Sequence, residues 1–485
     1  MATRDDLLGD SDRKLIFKGP LEVASAQALA YLSSLDERPI GAAADAALLR
    51  TRIAKPLSRY GLPAEQVLNE LAIAVDGGLH GVASGRFFAW VIGGSLPAAL
   101  GADWLTSAWD QNAHNFGTGP AAAIAEEVVG AWLKEIFGLP EQSSFALVTG
   151  CQMAHFTCLA SARHSLLAKR GWNVEANGLS GTPGIRVLSS DQAHGSIDRA
   201  VSMLGIGTSN IVKLRSDANG RLDPAALESA LAKESNAPTV VVLQAGDLNI
   251  GAFDQFEIVI PIAKRYEAWV HIDGAFGLWV ATNSSYRRLL AGINAADSWA
   301  TDGHKWLNIP YDCGYAFVAD PKAHGASMSH RASYISYSSD ARDQADWNPE
   351  WSRRARGFSS YAAIRQLGIE GISDMIERCC TQARALVMGI GGLHGAELVW
   401  EPQINQGLVR FLDLNAGASQ EDHDRRTDEM IAKINAAGDA YFSGTTWRGR
   451  RAMRVSVCNW RTTSEDVTRT VTNIARLLDC AAQRA

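Results

Sequence analysis

From about residue 120 to 330, short apolar runs alternate with stretches of helical periodicity. The runs include Phe145-Ala146-Leu147-Val148, Ile185-Arg186-Val187-Leu188, Thr239-Val240-Val241-Val242-Leu243 and Ala268-Trp269-Val270-His271-Ile272. Each is too short for a helix and apolar on both faces, the pattern of a parallel strand covered on both sides. The alternation predicts an α/β domain with a mainly parallel sheet. Residues 1 to about 80 read as helices, broken at Pro56 and Pro63. Residues 327–350 are rich in Ser, Tyr, Asp and Arg with no periodicity, which predicts a long mobile loop. Beyond about 370 the pattern becomes helices with strands at Leu398-Val399-Trp400 and Met453-Arg454-Val455-Ser456-Val457, a small α+β domain. Thr462-Thr463-Ser464-Glu465 has the form of a capping box for the last helix. The division expected is a helical arm over 1–85, a large domain over 86–370 and a small domain over 371–485.

Composition narrows the partners. A formal net charge of -6 gives no field drawing the chain to nucleic acid or to an anionic membrane. No apolar stretch reaches the ~18 residues of a membrane span. The start, Met1-Ala2-Thr3-Arg4-Asp5-Asp6, lacks the apolar core of a secretory signal. The seven cysteines are sparse, odd in number and without metal-type spacing, so a reducing cytoplasm and no structural metal are expected. Of two basic runs, Arg353-Arg354-Ala355-Arg356 and Arg448-Gly449-Arg450-Arg451, the second reads most plainly as a solvated face.

Four segments carry chemistry. The strand ending Trp269-Val270-His271-Ile272-Asp273 places an acid at the carboxyl edge of a parallel sheet, where ligands bind. A turn residue, or a metal pair with His271, are the other readings of Asp273. Lys305 follows 32 residues later (305 − 273), flanked by Gly303 and His304 after a short strand. A lysine so placed becomes a nucleophile when burial or cationic neighbours deprotonate it, and with Asp273 one strand–helix–strand unit earlier it fits a Schiff-base lysine with an acidic partner for a pyridinium nitrogen. Val148-Thr149-Gly150-Cys151-Gln152 reads as strand, turn and helix N-terminus, a phosphate-binding arrangement. His194 sits at a strand-to-helix junction, where it either stacks on an aromatic ring or caps the helix.

At these segments the chain resembles the group II pyridoxal-5′-phosphate (PLP)-dependent amino acid decarboxylases. That family includes the aromatic-amino-acid, glutamate and histidine decarboxylases of fold type I, the aspartate aminotransferase-like fold. Asp191-Gln192-Ala193-His194 with Ser196, Gly251-Ala252-Phe253-Asp254, Asp273-Gly274-Ala275 and His304-Lys305-Trp306 are similar to its signature blocks in the same order. The resemblance implies that Lys305 binds the cofactor as a Schiff base and that Asp273 keeps the ring nitrogen protonated. His194 stacks on one ring face and Ala275 packs on the other. Gly150, Cys151 and Gln152 cup the phosphate with help from His304 and Asp302. Tyr334 donates a proton to the product carbanion, and Arg356 is a basic residue near the site. A homodimer with sites at its interface follows, the helical arm wrapping the second subunit. Two departures stand out: Gly-Cys-Gln-Met replaces a smaller, more hydroxylic cup, and Asp247-Leu248-Asn249 replaces a Thr-rich stretch.

The expected reaction is decarboxylation of an L-amino acid to an amine and carbon dioxide. An aldehyde synthase or an aminotransferase on the same fold is the alternative, and a catalytically dead PLP-binding protein is a further one. Arg86-Phe87-Phe88-Ala89-Trp90 resembles a pocket-lining segment of the family, and the resemblance places Trp104, Trp109, His114 and Phe116 near the dimer's active site. Such aromatic walls imply an aromatic or bulky apolar substrate, and Arg86 is the cation that a glutamate-like substrate would need.

Overall fold

The computed structural model describes residues 15–330 and 341–482. Three helices come first: α1 (Lys18–Ser33), α2 (Ala46–Ile53) and α3 (Ala64–Val75). Asp45 starts α2 by accepting the Leu48 N–H at 2.8 Å, and Pro63 precedes α3, where its missing N–H costs nothing. Pro56 lies in the extended stretch between the two. After α4 (Pro97–Trp109) and α5 (Pro120–Phe137) the large sheet begins with β1 (Ser144–Val148). It continues through α6 (Cys151–Ala168), α7 (Val174–Asn177), β2 (Arg186–Ser190), α8 (Gly195–Met203), β3 (Ile211–Leu214), α9 (Pro224–Lys233), β4 (Thr239–Gln244), α10 (Phe256–Arg265), β5 (Trp269–Asp273), β6 (Ser298–Asp302) and β7 (Gly314–Val318).

The seven strands lie in the order β1-β7-β6-β5-β4-β2-β3. Only β7 runs antiparallel to its neighbours. Strands β1, β2, β4, β5, β6 and β7 are buried along their whole length, as near-continuous apolar runs predict for β1, β4 and β5. Two apolar clusters account for this. One joins the sheet to α5, α10 and the small domain, and the other packs α6 and α8 on the opposite face. The mainly parallel sheet is thus as expected from the sequence. The link from β5 to β6 is not: three short 3₁₀ turns (Gly277–Thr282, Arg287–Leu290, Ile293–Ala295) replace the expected helix. Their side chains Leu278, Trp279, Val280 and Leu290 are buried, so packing on the core supports the turns.

The chain then forms α11 (Pro321–Met328) and α12 (Gly357–Gly391). Gly368 interrupts α12 with φ 61° and ψ −179°, a left-handed conformation that glycine adopts without a Cβ penalty. The smaller sheet is wholly antiparallel, in the order β10 (Ser443–Trp447), β11 (Arg450–Ser456), β9 (Gln406–Phe411), β8 (Ala396–Trp400). Helix α13 (Gln420–Ala437) packs on it, and α14 (Ser464–Ala482) packs on α12 and α13. The capping box of α14 is Thr463 with Asp466, one residue later than the sequence pattern suggests.

The expected loop over 327–350 is shorter than predicted. Residues 341–350 are pinned: Asp343 accepts the Phe116 N–H at 3.1 Å, Gln344 donates to Ala123 O at 2.9 Å, and Asn348 donates to Gln344 O at 3.0 Å. Polar composition misled here because these polar groups are buried with partners, which is how buried polar side chains persist. Residues 331–340, with Tyr334 and Tyr337, lie outside the described residues.

Candidate functional site

Strand register gathers the site. Val148 closes β1 opposite Gly314, which also pairs with Asp302 at the end of β6. Asp273 at the end of β5 pairs with Gln244 at the end of β4. These carboxyl ends share one sheet edge, the place where open α/β sheets bind ligands. A cavity of about 780 Å³ opens there. Its walls include Gly150, Cys151, Gln152, His194, Asp273, Ala275, Asp302, His304 and Lys305, so every cofactor-binding residue expected from the sequence reaches one space.

Close backbone approach shapes its floor. A Cβ on Gly314 would lie 2.5 Å from Gly150 Cα, and one on Gly93 would lie 1.9 Å from Lys305 O. Only glycine fits at either place. Gly150 ends the turn before α6, and the first N–H of that helix, on Cys151, donates to Asp302 Oδ1 at 2.6 Å. Gln152 Nε2 is buried there without a hydrogen-bond partner.

Asp273 is buried, and its Oδ1 accepts the Ala275 N–H at 3.2 Å. Its Oδ2 lies 3.6 Å from His155 Nε2. Lys305 Nζ lies 2.9 Å from Asp302 Oδ2. Burial lowers the lysine's pKa, but the charge and hydrogen bond of Asp302, with Cys151 and Asp273 nearby, together outweigh it and raise the value above the ordinary lysine range. The sequence expectation was the reverse, an amine freed by burial or by cations. The carboxylate beside it explains the difference.

His194 caps α8: its Nδ1 accepts the Ser196 N–H at 3.2 Å while the ring lines the cavity, so capping and cavity-lining coexist. His304 stacks on Tyr311 with ring centroids 4.4 Å apart, and its Nδ1 accepts the Cys313 N–H at 3.1 Å. Burial lowers the pKa of His304 and keeps its ring neutral. The metal reading of His271 with Asp273 loses its geometry, because His271 Nε2 faces His155 Nδ1 at 2.9 Å. Ligand atoms of Cys151, His155 and Asp273 approach within 4.8 Å of one another, and burial raises the Cys151 thiol pKa.

Several expected residues do not reach the cavity. Arg86 is buried in an ion pair with Asp439 at 3.2 Å and donates to Asp36 O at 2.9 Å, so it holds the arm to the small domain. Arg356 pairs with Asp312 at 2.7 Å. Its neighbours pair likewise, Arg353 with Glu126 at 2.7 Å and Arg354 with Asp103 at 2.8 Å, so the first basic run is structural and largely internal. Trp104 and Trp109 are exposed on α4, and neither they nor His114 and Phe116 line the cavity of the single chain. Asp247 ties its own loop, accepting the N–H groups of Asn249, Ile250 and Ala252.

The structure adds residues that sequence reading missed. Val91, Ile92, Leu248, Phe276 and Tyr311 give the cavity apolar walls beside the expected Trp90. Arg454 enters it from β11, donating to Leu248 O at 3.2 Å while its buried Nε has no partner. Among the described residues no carboxylate lies within ion-pair distance of it. Burial lowers its pKa to about 10, against the pull of Asp247. It is still a cation at neutral pH. The alternation of Met453, Arg454 and Val455 in the smaller sheet was its one signal, an arginine inside an apolar strand.

Comparison with known proteins agrees with this geometry. The family model described as the pyridoxal-dependent decarboxylase conserved domain matches residues 49–412. An aromatic-L-amino-acid decarboxylase of Bacillus atrophaeus is 25% identical over 457 residues, covering 93% of this chain and 92% of that protein. A 4-hydroxyphenylacetaldehyde synthase of Rhodiola rosea is 26% identical over 465 residues, covering 93% and 92%. The crystal structure of Oryza sativa TDC with PLP and tryptamine superposes with a TM-score of 0.86 at 24% identity, covering 96% of this chain and 99% of that one, a likeness of fold. The residues of the cavity fit a phosphate-bearing pyridoxal group: a glycine cradle at a helix N-terminus, an unspent amide donor on Gln152, a lysine amine and a buried carboxylate. With the family model matching most of its length, the chain belongs to the pyridoxal-dependent decarboxylases: it is a PLP-dependent amino acid decarboxylase of fold type I.

Proposed function

We propose that the substrate is an aromatic or bulky apolar L-amino acid, released as its amine and carbon dioxide. One observation carries this reading: Lys305, Asp273 and His194 converge in a cavity whose other walls are Trp90, Val91, Ile92, Leu248, Phe276 and Tyr311. When bound, PLP supplies an electron sink for the pair left behind by departing carbon dioxide. The chain's own groups do the rest. Lys305 would hold the cofactor through its amine and yield it to the amine of the substrate, which leaves the lysine amine free. Asp273 partners the ring nitrogen. His194 and Ala275 bracket the ring. Gly150, Cys151, Gln152 and His304 hold the phosphate, and Asp302 fixes the cup through Cys151 N–H and the lysine through its Nζ. Arg454, buried without an ion-pair partner, takes the substrate carboxylate, and the apolar walls exclude water and favour its loss as neutral carbon dioxide. Tyr334, outside the described residues, is the proton donor to the product, with Tyr337 the rival.

The working description keeps the three parts 1–85, 86–370 and 371–485. The last boundary falls two residues past the interruption of α12 at Gly368. We assign a homodimer, supported by the arm: Phe17, Leu21, Leu29, Leu57 and Ile73 are exposed in the single chain, an apolar face that a second copy would cover. The cytoplasm is the assigned compartment, supported by six buried cysteines that are all free.

The test is product analysis of the PLP-loaded protein on a panel of aromatic, acidic and basic L-amino acids. Carbon dioxide with one aromatic amine in equal amounts is expected. Aldehyde, ammonia and peroxide would make it an aldehyde synthase, and a keto acid without carbon dioxide an aminotransferase. Turnover confined to acidic substrates would refute the aromatic assignment. Tyr334→Phe is expected to shift product from amine toward aldehyde; a clean amine from it, with the shift in Tyr337→Phe, moves the proton donor to Tyr337.

A further inference from the structure

Resting on the cofactor reading above, we propose that His155 is a positioning residue for Asp273, the last link of a one-way hydrogen-bond chain that begins at Trp269. Trp269, His271 and Asp273 alternate along β5 and so share one face, which packs against α6 carrying His155. Ser298 of β6 stands opposite His271 in the sheet register. Trp269 Nε1–H donates to Ser298 Oγ at 2.9 Å. Ser298 Oγ lies 2.9 Å from His271 Nδ1, and His271 Nε2 lies 2.9 Å from His155 Nδ1. His155 Nε2 then faces Asp273 Oδ2 at 3.6 Å and has no other partner.

The two ends fix the direction of every link. An indole N–H can only donate, and an ionised carboxylate can only accept. Ser298 therefore receives from Trp269 and keeps its one proton for His271 Nδ1, the direction that a donor aimed at Asp273 requires. Cys158 also lies near this hydroxyl, but a thiol sulfur is the weaker acceptor. His271 must then carry its proton on Nε2 and give it to His155 Nδ1. His155 in turn carries its proton on Nε2, pointing at Asp273. The reverse polarity would aim a lone pair of His155 Nε2 at the carboxylate.

The chain presents a donor to Asp273 without adding a charge. Both imidazoles are wholly buried, and burial lowers each pKa to about 3, so both stay neutral. The charged groups facing His155 are Asp302 and Lys305, with His194 beyond and Cys151 beside it. A cation in place of His155 would compete with the ring nitrogen for Asp273. A neutral donor instead orients the carboxylate and leaves its charge to the cofactor. The 3.6 Å gap exceeds hydrogen-bond length, so the donor is aimed but unspent in this structure.

His155→Leu, His155→Gln and Trp269→Phe test this in the holoenzyme. Leu removes the donor, Gln keeps an N–H, and Trp269→Phe releases the far end while touching neither His155 nor Asp273. His155→Leu is expected to weaken PLP binding by about tenfold or more and to change the absorbance of the bound cofactor. It should lower kcat by a similar factor with KM for the amino acid within about twofold. His155→Gln should recover most of both, and Trp269→Phe should move the absorbance in the same direction by less. Wild-type cofactor affinity and spectrum in His155→Leu would overturn the proposal. So would a Gln variant as impaired as Leu, or, should the Leu variant fail to fold, an unshifted spectrum in both remaining variants. Wild-type protein that neither binds PLP nor releases carbon dioxide takes down the cofactor reading itself and the relay with it.

Discussion

Lys305 Nζ lies 2.9 Å from Asp302 Oδ2, so the reactive amine rests as an ammonium against a buried carboxylate. Burial lowers the lysine's pKa, and Asp302 together with Cys151 and Asp273 more than reverses this. Removing the Asp302 charge takes away the largest of the groups that oppose burial and leaves Asp273 and Cys151. Asp302→Asn is therefore expected to move the pH for half-maximal covalent capture of PLP, read by borohydride trapping, downward by about one unit or more. Lys305→Ala should trap none and show no turnover while keeping its fold. An upward shift in Asp302→Asn would mean that Asp302 acts through the cup and not through the amine.

Asp273→Asn is expected to bind PLP yet turn over far more slowly. The side chain keeps its size and its place at the end of β5, so the fold is spared, but the ring nitrogen loses its anionic partner. One strong charged pair is worth about 3 kcal/mol of barrier, roughly a hundredfold in kcat. Wild-type kcat in this variant would reduce Asp273 to a turn residue that accepts the Ala275 N–H.

Arg454→Met keeps the volume of the side chain and removes its charge. If the guanidinium takes the substrate carboxylate, KM should rise by at least about tenfold, the value of one charge-assisted hydrogen bond. PLP affinity should stay near wild type. A large loss of PLP with KM unchanged would place Arg454 on the cofactor instead.

Much of this site was legible in the sequence because its parts are local. Asp273, Lys305, Gly150 and His194 each sit at a strand end beside a turn, and strand ends can be read from short apolar runs. His155 and Arg454 were not legible. His155 lies inside a helix, and only the packing of α6 against β5 gives it a partner 116 residues away. Arg454 comes from a strand of the other sheet, 149 residues after Lys305 (454 − 305). The internal pairing of the basic run 353–356, of which Arg356 was expected near the site, was hidden for the same reason. Its partners Glu126, Asp103 and Asp312 are distant in sequence, so nothing local separates a paired internal arginine from a solvated one.

Arg353 and Glu126 form a buried two-pronged ion pair at 2.7 Å and 2.7 Å, and the same guanidinium donates to Ala113 O at 2.7 Å. Removing one partner leaves the other charged and desolvated. Arg353→Met is expected to destabilise the protein by about 3–5 kcal/mol in denaturant unfolding. The double variant Arg353→Met with Glu126→Gln should recover part of the loss. A single variant within about 0.5 kcal/mol of wild type would show that water reaches the abandoned carboxylate.

Acid should weaken the protein through its buried histidines. His155, His271 and His324 are each wholly buried, and burial lowers each pKa from 6.5 to about 3. Between those values the unfolded chain binds protons that the folded chain refuses. Their neutral burial therefore contributes stability that is fully present above pH 6.5 and is lost as pH falls toward 3. The loss approaches about 1.4 kcal/mol per pH unit for each histidine. His324 gives the cleanest test, because it lies away from the cavity, with Nε2 facing Trp347 O at 2.9 Å and Nδ1 facing Ser144 Oγ at 2.8 Å. Arg342 is the charged group that faces it. In His324→Gln the slope of stability between pH 6 and 4.5 should flatten by about the share of one histidine, whatever the offset in absolute stability. Parallel slopes for wild type and variant, measured at matched ionic strength, would mean that His324 takes up its proton without unfolding.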